Sequence, residues 1–187
     1  MRRYSPTMIA LHWTMAGLIL AAYLTAEGGP HVRTDPPALH FWLGLSVLAL
    51  LVPRLVARIA GGAPPAETSH GPWLDLAAKA GHLLLYAFII LLPLTGWYAA
   101  SRLGVTVSVL GFDLPSIAPA VAGPPGPIAE LHELGGNAIV ILAGLHALIA
   151  LWHQFILKDG TLARMLPGLP RTQGARSDLS HPAEPSR

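Results

Sequence analysis

Apolar residues run along this chain in four long blocks separated by polar punctuation. The blocks are Met8 to Ala26, Ala38 to Ile59, Leu76 to Ala100 and Ile128 to Leu157. A helix rising 1.5 Å per residue needs about 20 apolar residues to cross a hydrocarbon core about 30 Å thick, and each block has about that length. Between them lie turn-forming stretches. Glu27 to Pro37 carries Gly28, Gly29, Pro30, Pro36 and Pro37, and Gly61 to Pro72 is rich in Gly and Pro. Ser101 to Ala129 holds Pro115, Pro119, Pro124, Pro125 and Pro127, which predicts an irregular but stiff loop. Pro6 suits the first turn of the first helix. Pro53 is expected to bend the second block near its end, and Pro93 and Gly96 are expected kink positions in the third. Four spans with short connections predict an all-α fold, an integral membrane up-and-down four-helix bundle. The bundle domain is expected over residues 1–167. The polar stretch 168–187 reads as a disordered tail.

Composition agrees. Of 187 residues 52% are hydrophobic and 12% charged, against about 25% charged in soluble domains, and the mean hydropathy is +0.51. The first block also has features of a secretory signal, with a basic start and small residues near Thr25 and Ala26. His12 and Trp13 inside it favour a retained span. The pI of about 9.3 does not imply a nucleic-acid partner, because the basic residues flank apolar spans and form no patch. Their distribution sets orientation instead. With both termini cytoplasmic, Arg2, Arg3, Arg54, Arg58, Lys79, Lys158, Arg164, Arg171, Arg176 and Arg187 fall inside, and only Arg33 and Arg102 fall outside. The Pro-rich loop then faces out.

With no cysteine, disulfides, thiolate metal sites and Cys-x-x-Cys-His haem attachment are excluded. Nine histidines remain, and a histidine in hydrocarbon is costly without a partner. His132 and His146 are fourteen residues apart in the fourth block, close to four turns, so they share one face roughly 21 Å apart. Span direction sorts the others by depth. His40 and His132 fall at the outer side, His12 and His146 at the inner side, and His82 competes for the inner role. Small residues follow each by one turn: Ala16, Gly44, Gly136 and Ala150. They leave room for a flat macrocycle, although such residues also serve plain helix contact in lipid. A lone membrane histidine more often packs or hydrogen-bonds than ligates. Two complementary pairs at matching depths point to two haems, each on a bis-imidazole pair, while zinc wants four protein ligands. His82 is open between ligation and a hydrogen bond to a quinone or a propionate. His153 reads as interfacial, and His31, His70 and His181 as solvated. Trp13, Trp42, Trp97 and Trp152 fit an aromatic belt, and Glu130 and Glu133 suit a helix N-terminus.

Tyr4-Ser5 with Leu11-His12-Trp13, His40 with Gly44, Ala80-Gly81-His82-Leu83-Leu84-Leu85-Tyr86, Leu92-Pro93-Leu94-Thr95-Gly96 and His132-Glu133 together resemble the bacterial cytochrome b561 family. The closing stretch Leu145-His146-Ala147, His153 and Lys158-Asp159-Gly160-Thr161-Leu162-Ala163-Arg164-Met165-Leu166-Pro167 is the most specific part. The resemblance covers roughly residues 4–167. It implies a bacterial inner-membrane cytochrome with two b-type haems, ligated by His12 with His146 and by His40 with His132. It also implies electron exchange with quinone, ubiquinone in some members, and in some members oxidation of superoxide at the outer face. Relatives often have two adjacent histidines near the inner end where this chain has His153-Gln154.

The expected function is therefore transmembrane electron transfer between a periplasmic-side donor and membrane quinone. Arg54, Arg58, Lys79, His82 and His153 are candidate contacts to propionates or quinone, and Arg33 and Arg102 are candidates for the same role outside or for steering an anionic donor. A second reading is a membrane-anchor subunit that docks a periplasmic dehydrogenase through the Pro-rich loop. A third is a haem-free transporter using histidines as a relay. A second copy of the chain, as a homodimer, stays open as a partner.

Overall fold

The computed structural model describes residues 3–27, 30–62, 71–109 and 111–166. The tail at 168–187, His70, His181 and the side chain of His31 lie outside them. Four helices form the molecule: α1 (Pro6–Leu24), α2 (Ala38–Gly61), α3 (Pro72–Leu103) and α4 (Pro127–Trp152). Each is long and apolar enough to cross a membrane. Neighbours pack in a ring, α1 on α2, α2 on α3, α3 on α4 and α4 back on α1, so the up-and-down four-helix bundle expected from the sequence is the fold.

Local chemistry sets the boundaries. The Ser5 hydroxyl accepts the Met8 N–H at 3.2 Å and Pro6 occupies the first turn of α1. The helix stops at Leu24, short of Ala26, where the Thr25 hydroxyl lies 2.8 Å from the Ala21 carbonyl. Both α3 and α4 open on Gly-Pro: Gly71 and Gly126 take φ of 106° and 96°, and Pro72 and Pro127 follow at a preset φ. That pair starts α3 at Pro72, earlier than the apolar pattern alone suggests. Pro53 and Pro93 lie inside helices that continue past them. Lipid-embedded helices tolerate this when neighbours satisfy the freed backbone groups.

Few side chains are buried. Met15, Val47 and Leu51 form the core, with Leu18, Ile19, Leu50, Tyr86 and Ile89 against it. Large apolar side chains point outward all round, including Leu24 at 73%, Leu83 at 72% and Ile59 at 84% exposure. Such a surface is untenable in water and natural in hydrocarbon.

The 104–126 loop caps one end of the bundle, here the loop end. It is more regular than its prolines suggest. Ser108–Val109 (β1) pairs antiparallel with Phe112–Asp113 (β2), and the Leu114 N–H reaches the Val107 carbonyl at 2.8 Å. Prolines lack N–H groups, which leaves a loop rich in carbonyls and short of donors. Arginine and tryptophan supply them. Arg33 donates to the carbonyls of Leu103 at 2.9 Å and Gly123 at 2.7 Å, Arg102 to those of Pro125 and Pro119, both at 3.3 Å, and Trp97 to that of Pro115 at 3.1 Å.

At the opposite, terminal end, α4 runs into a wider five-residue helical turn, His153–Leu157, and then a short 3₁₀ turn at Leu162–Arg164. This segment folds back on α1: Trp13 Nε1 donates to the Met165 carbonyl at 2.8 Å, and the Arg164 guanidinium stacks 5.6 Å from the Tyr4 ring centre.

Candidate functional site

At the loop end, His40 from the start of α2 faces His132 from the start of α4, with ring centres 5.8 Å apart and planes at 85°. Each ring is held from behind. His40 Nδ1 lies 2.8 Å from the Ala22 carbonyl, which belongs to the last turn of α1, where carbonyls lack intrahelical partners. His132 Nδ1 lies 3.0 Å from the Leu92 carbonyl and 3.3 Å from the Thr95 hydroxyl of α3. A carbonyl only accepts, so both Nδ1 atoms carry the proton and both Nε2 atoms present a lone pair. Metal-binding histidines are typically oriented this way. Beside the pair is space: a Cβ built on Gly44 or Gly136 meets nothing within 4 Å.

At the terminal end three histidines gather. His12 of α1 lies 6.4 Å from His146 of α4, ring centre to ring centre, and His82 of α3 lies 5.2 Å from His146. His82 Nδ1 turns back to its own helix, 2.7 Å from the Ala78 carbonyl. Arg54 of α2 reaches into the group. Its Nη2 lies 3.2 Å from His12 Nδ1, its Nε donates to the Tyr86 hydroxyl at 3.3 Å, and its buried Nη1 has no partner. Guanidinium only donates, so His12 Nδ1 accepts here. Binding a metal through His12 Nε2 therefore requires Arg54 to release Nδ1.

Two imidazoles bound to one iron through Nε2, each about 2 Å from it, set their ring centres roughly 6 Å apart. Both depth-matched pairs have that spacing. Among the described residues no group of three or more His, Cys, Asp or Glu side chains is placed to hold a bare metal ion. The neutral two-nitrogen donor set, the open glycine flanks and the unsatisfied guanidinium, suited to a propionate, fit haem.

The remaining sequence candidates are spread out. Arg58 and Lys79 are exposed, and among the described residues no contact joins them to the histidines. His153, expected at the interface, has a protein partner: its Nδ1 lies 2.5 Å from Asp159 Oδ2, and Asp159 Oδ1 accepts the Thr161 N–H at 3.0 Å. Neighbouring Gln154 is buried with its Oε1 unpartnered. Arg33 and Arg102, at the loop end, brace carbonyls. Sequence reasoning missed the backing carbonyls of Ala22 and Leu92, because a backbone carbonyl leaves no mark in composition, and the Thr95 hydroxyl, because a contact between α3 and α4 is not visible along the chain. Gly96, an expected kink position, also lies against the imidazole: a Cβ there falls 2.8 Å from His132 Cε1.

A family model described as prokaryotic cytochrome b561 matches residues 3–168. The chain is 30% identical over 170 residues to a probable superoxide oxidase CybB of Yersinia pestis, covering 89% of this chain and 97% of that protein. It is 34% identical over 175 residues to cytochrome b561 homolog 2 of Escherichia coli strain K12, covering 88% and 91%. It is 34% identical over 173 residues to cytochrome b562 of Cereibacter sphaeroides, covering 87% and 94%.

Proposed function

The chain belongs to the prokaryotic cytochrome b561 family, a multi-pass bacterial inner-membrane electron-transfer protein that binds haem b, and from that premise we propose that it carries electrons between a periplasmic-side donor and membrane quinone through two bis-histidine haems. His40 and His132 hold one, His12 and His146 the other. The observation that carries this reading is the pair of facing histidine couples, 5.8 Å and 6.4 Å between ring centres, at opposite ends of α4. Their α4 members are separated by about 21 Å along the helix, a spacing that supports one site in each leaflet. The positive-inside bias puts both termini in the cytoplasm and the loop end outside.

Haem held by two histidines would supply a one-electron carrier that leaves no position for substrate. The protein's part is to orient, tune and insulate. Ala22 and Leu92 fix the outer tautomers, and Arg54 offers Nη1 to a propionate or a quinone oxygen at the inner side. Arg58, Lys79, His82 and His153 are the other inner candidates for those contacts. The guanidinium charges of Arg33 and Arg102 are bonded to neutral carbonyls, meet no carboxylate among the described residues, and favour an anionic donor outside. Superoxide is such a donor, and the Yersinia pestis relative is named a probable superoxide oxidase. Ubiquinone is the proposed acceptor.

A reduced-minus-oxidised spectrum of the purified protein, with haem quantified per chain, tests this. The expected result is a low-spin b-type band and two haems per chain. His40→Ala or His132→Ala removes one and spares the other, whereas His82→Ala keeps both. A parent with one haem, or loss of a haem in His82→Ala, sinks the assignment. Exposed Phe112 and Ile117 on the outer loop favour a second reading, docking of a periplasmic dehydrogenase. Isolation of the protein in a stable complex with such a subunit, and no electron uptake from superoxide, is the outcome that would select it.

A further inference from the structure

Helix α3 supplies no ligand to the outer pair, yet it touches that pair closely. His132 Nδ1 rests on the Leu92 carbonyl at 3.0 Å and beside the Thr95 hydroxyl at 3.3 Å. The Thr95 hydroxyl donates within its own helix, to the Leu91 carbonyl at 2.8 Å with the Leu92 carbonyl at 3.0 Å, so its oxygen is oriented to share the imidazole proton. Gly96 closes the third side: a Cβ there would lie 2.8 Å from His132 Cε1, 3.2 Å from Nδ1 and 3.3 Å from Nε2. The imidazole thus lies against a bare stretch of α3 backbone, its edge pinned by two oxygens. Gly135, one turn along α4, also faces α3, but there a Cβ would meet Leu92 Cδ2, the end of a flexible side chain. A methyl group at either glycine forces a side chain to move, but a leucine methyl can turn aside where an imidazole bonded at Nδ1 cannot do so freely.

We infer that the Leu92–Gly96 segment of α3 sets the plane and basicity of His132, and through them the potential of the outer haem alone. Resting on the assignment of His40 and His132 as a haem pair, this makes Thr95 and Gly96 positioning residues. The hydrogen bond from Nδ1–H to an oxygen raises the donor strength of Nε2 and stabilises ferric iron. The contact with Gly96 holds the ring in the register that makes this bond, at 85° to His40.

The test is a redox titration of the purified haem-loaded protein, followed by visible and EPR spectroscopy, since the low-spin EPR signal depends on the angle between axial imidazole planes. Gly96→Ala should retain two haems per chain, raise one of the two midpoint potentials and move one EPR signal. Thr95→Val should move the same potential alone. Thr95→Ser, which keeps the oxygen, and Gly135→Ala should behave like the parent. If Gly96→Ala does not fold, the Thr95→Val and Thr95→Ser pair decides. Unchanged potentials and EPR signals in the folded variants, or equal shifts of both haems, overturn the inference. His132→Ala separates it from the reading beneath: if that variant keeps both haems, the ligand assignment itself is wrong.

Discussion

Arg54 is the most exposed to test among single residues. It is a cation inside a membrane span, half-buried among His12, Tyr86 and an unsatisfied Nη1, and such a charge is retained only where something answers it. At an effective dielectric of 20, a nearby unit charge would shift the redox equilibrium of a bound haem by about 2 kcal/mol. Positive charge favours the ferrous state, so Arg54→Met should lower the inner haem potential by on the order of 0.1 V. A potentiometric titration reads this directly. An inner potential equal to the parent's means that the guanidinium is fully neutralised in the loaded protein. Arg54 and the four histidines were legible as candidates in the sequence, because a polar side chain in an apolar block stands out. The grip of Arg54 on His12 was not legible, since that contact joins α1 to α2 over 42 positions of sequence.

Among the elements, the chain beyond α4 departs most from a simple bundle. The wide turn at His153–Leu157 ends on Lys158, a non-glycine residue at φ 53°, and the segment is fastened by His153 to Asp159 and by Trp13 to Met165. The apolar pattern reads straight through to Leu157 and marks Trp13 only as an interfacial anchor. The indole also has a carbonyl to serve, because a tryptophan N–H near a membrane end seeks an acceptor wherever one is offered. Trp13→Phe removes one hydrogen bond and should loosen the segment by about 1 kcal/mol. Hydrogen exchange across 158–166 should quicken about five-fold while the 104–126 loop stays unchanged. Equal protection in parent and variant would show that the bond holds nothing. The Gly-Pro starts of α3 and α4 were within reach of sequence reasoning. The loop hairpin at 108–113 was not, since two-residue strands are too short to show a period.

For the whole molecule, orientation is the proposal with the widest consequence, because it fixes which haem meets the donor and which lies nearer the cytoplasm. The chain has no cysteine, so single-cysteine variants give a clean reading. Phe112→Cys, on the exposed hairpin, should react with a membrane-impermeant thiol reagent in whole cells with a permeable outer membrane. Lys79→Cys should react only after the inner membrane is opened. The reverse pattern turns the protein over and exchanges the roles of the two sites. Four spans, their order, the charge bias and the depth of every intramembrane histidine follow from the sequence alone, because bilayer thickness and helical rise convert position along the chain into depth. Depth is one coordinate. Which histidines face one another across the bundle, which carbonyls hold their Nδ1 protons and which glycine lets α3 lie against His132 were decided only by tertiary structure. Those depend on the rotation and spacing of helices that touch through backbone, and backbone carbonyls are the same at every position in the sequence.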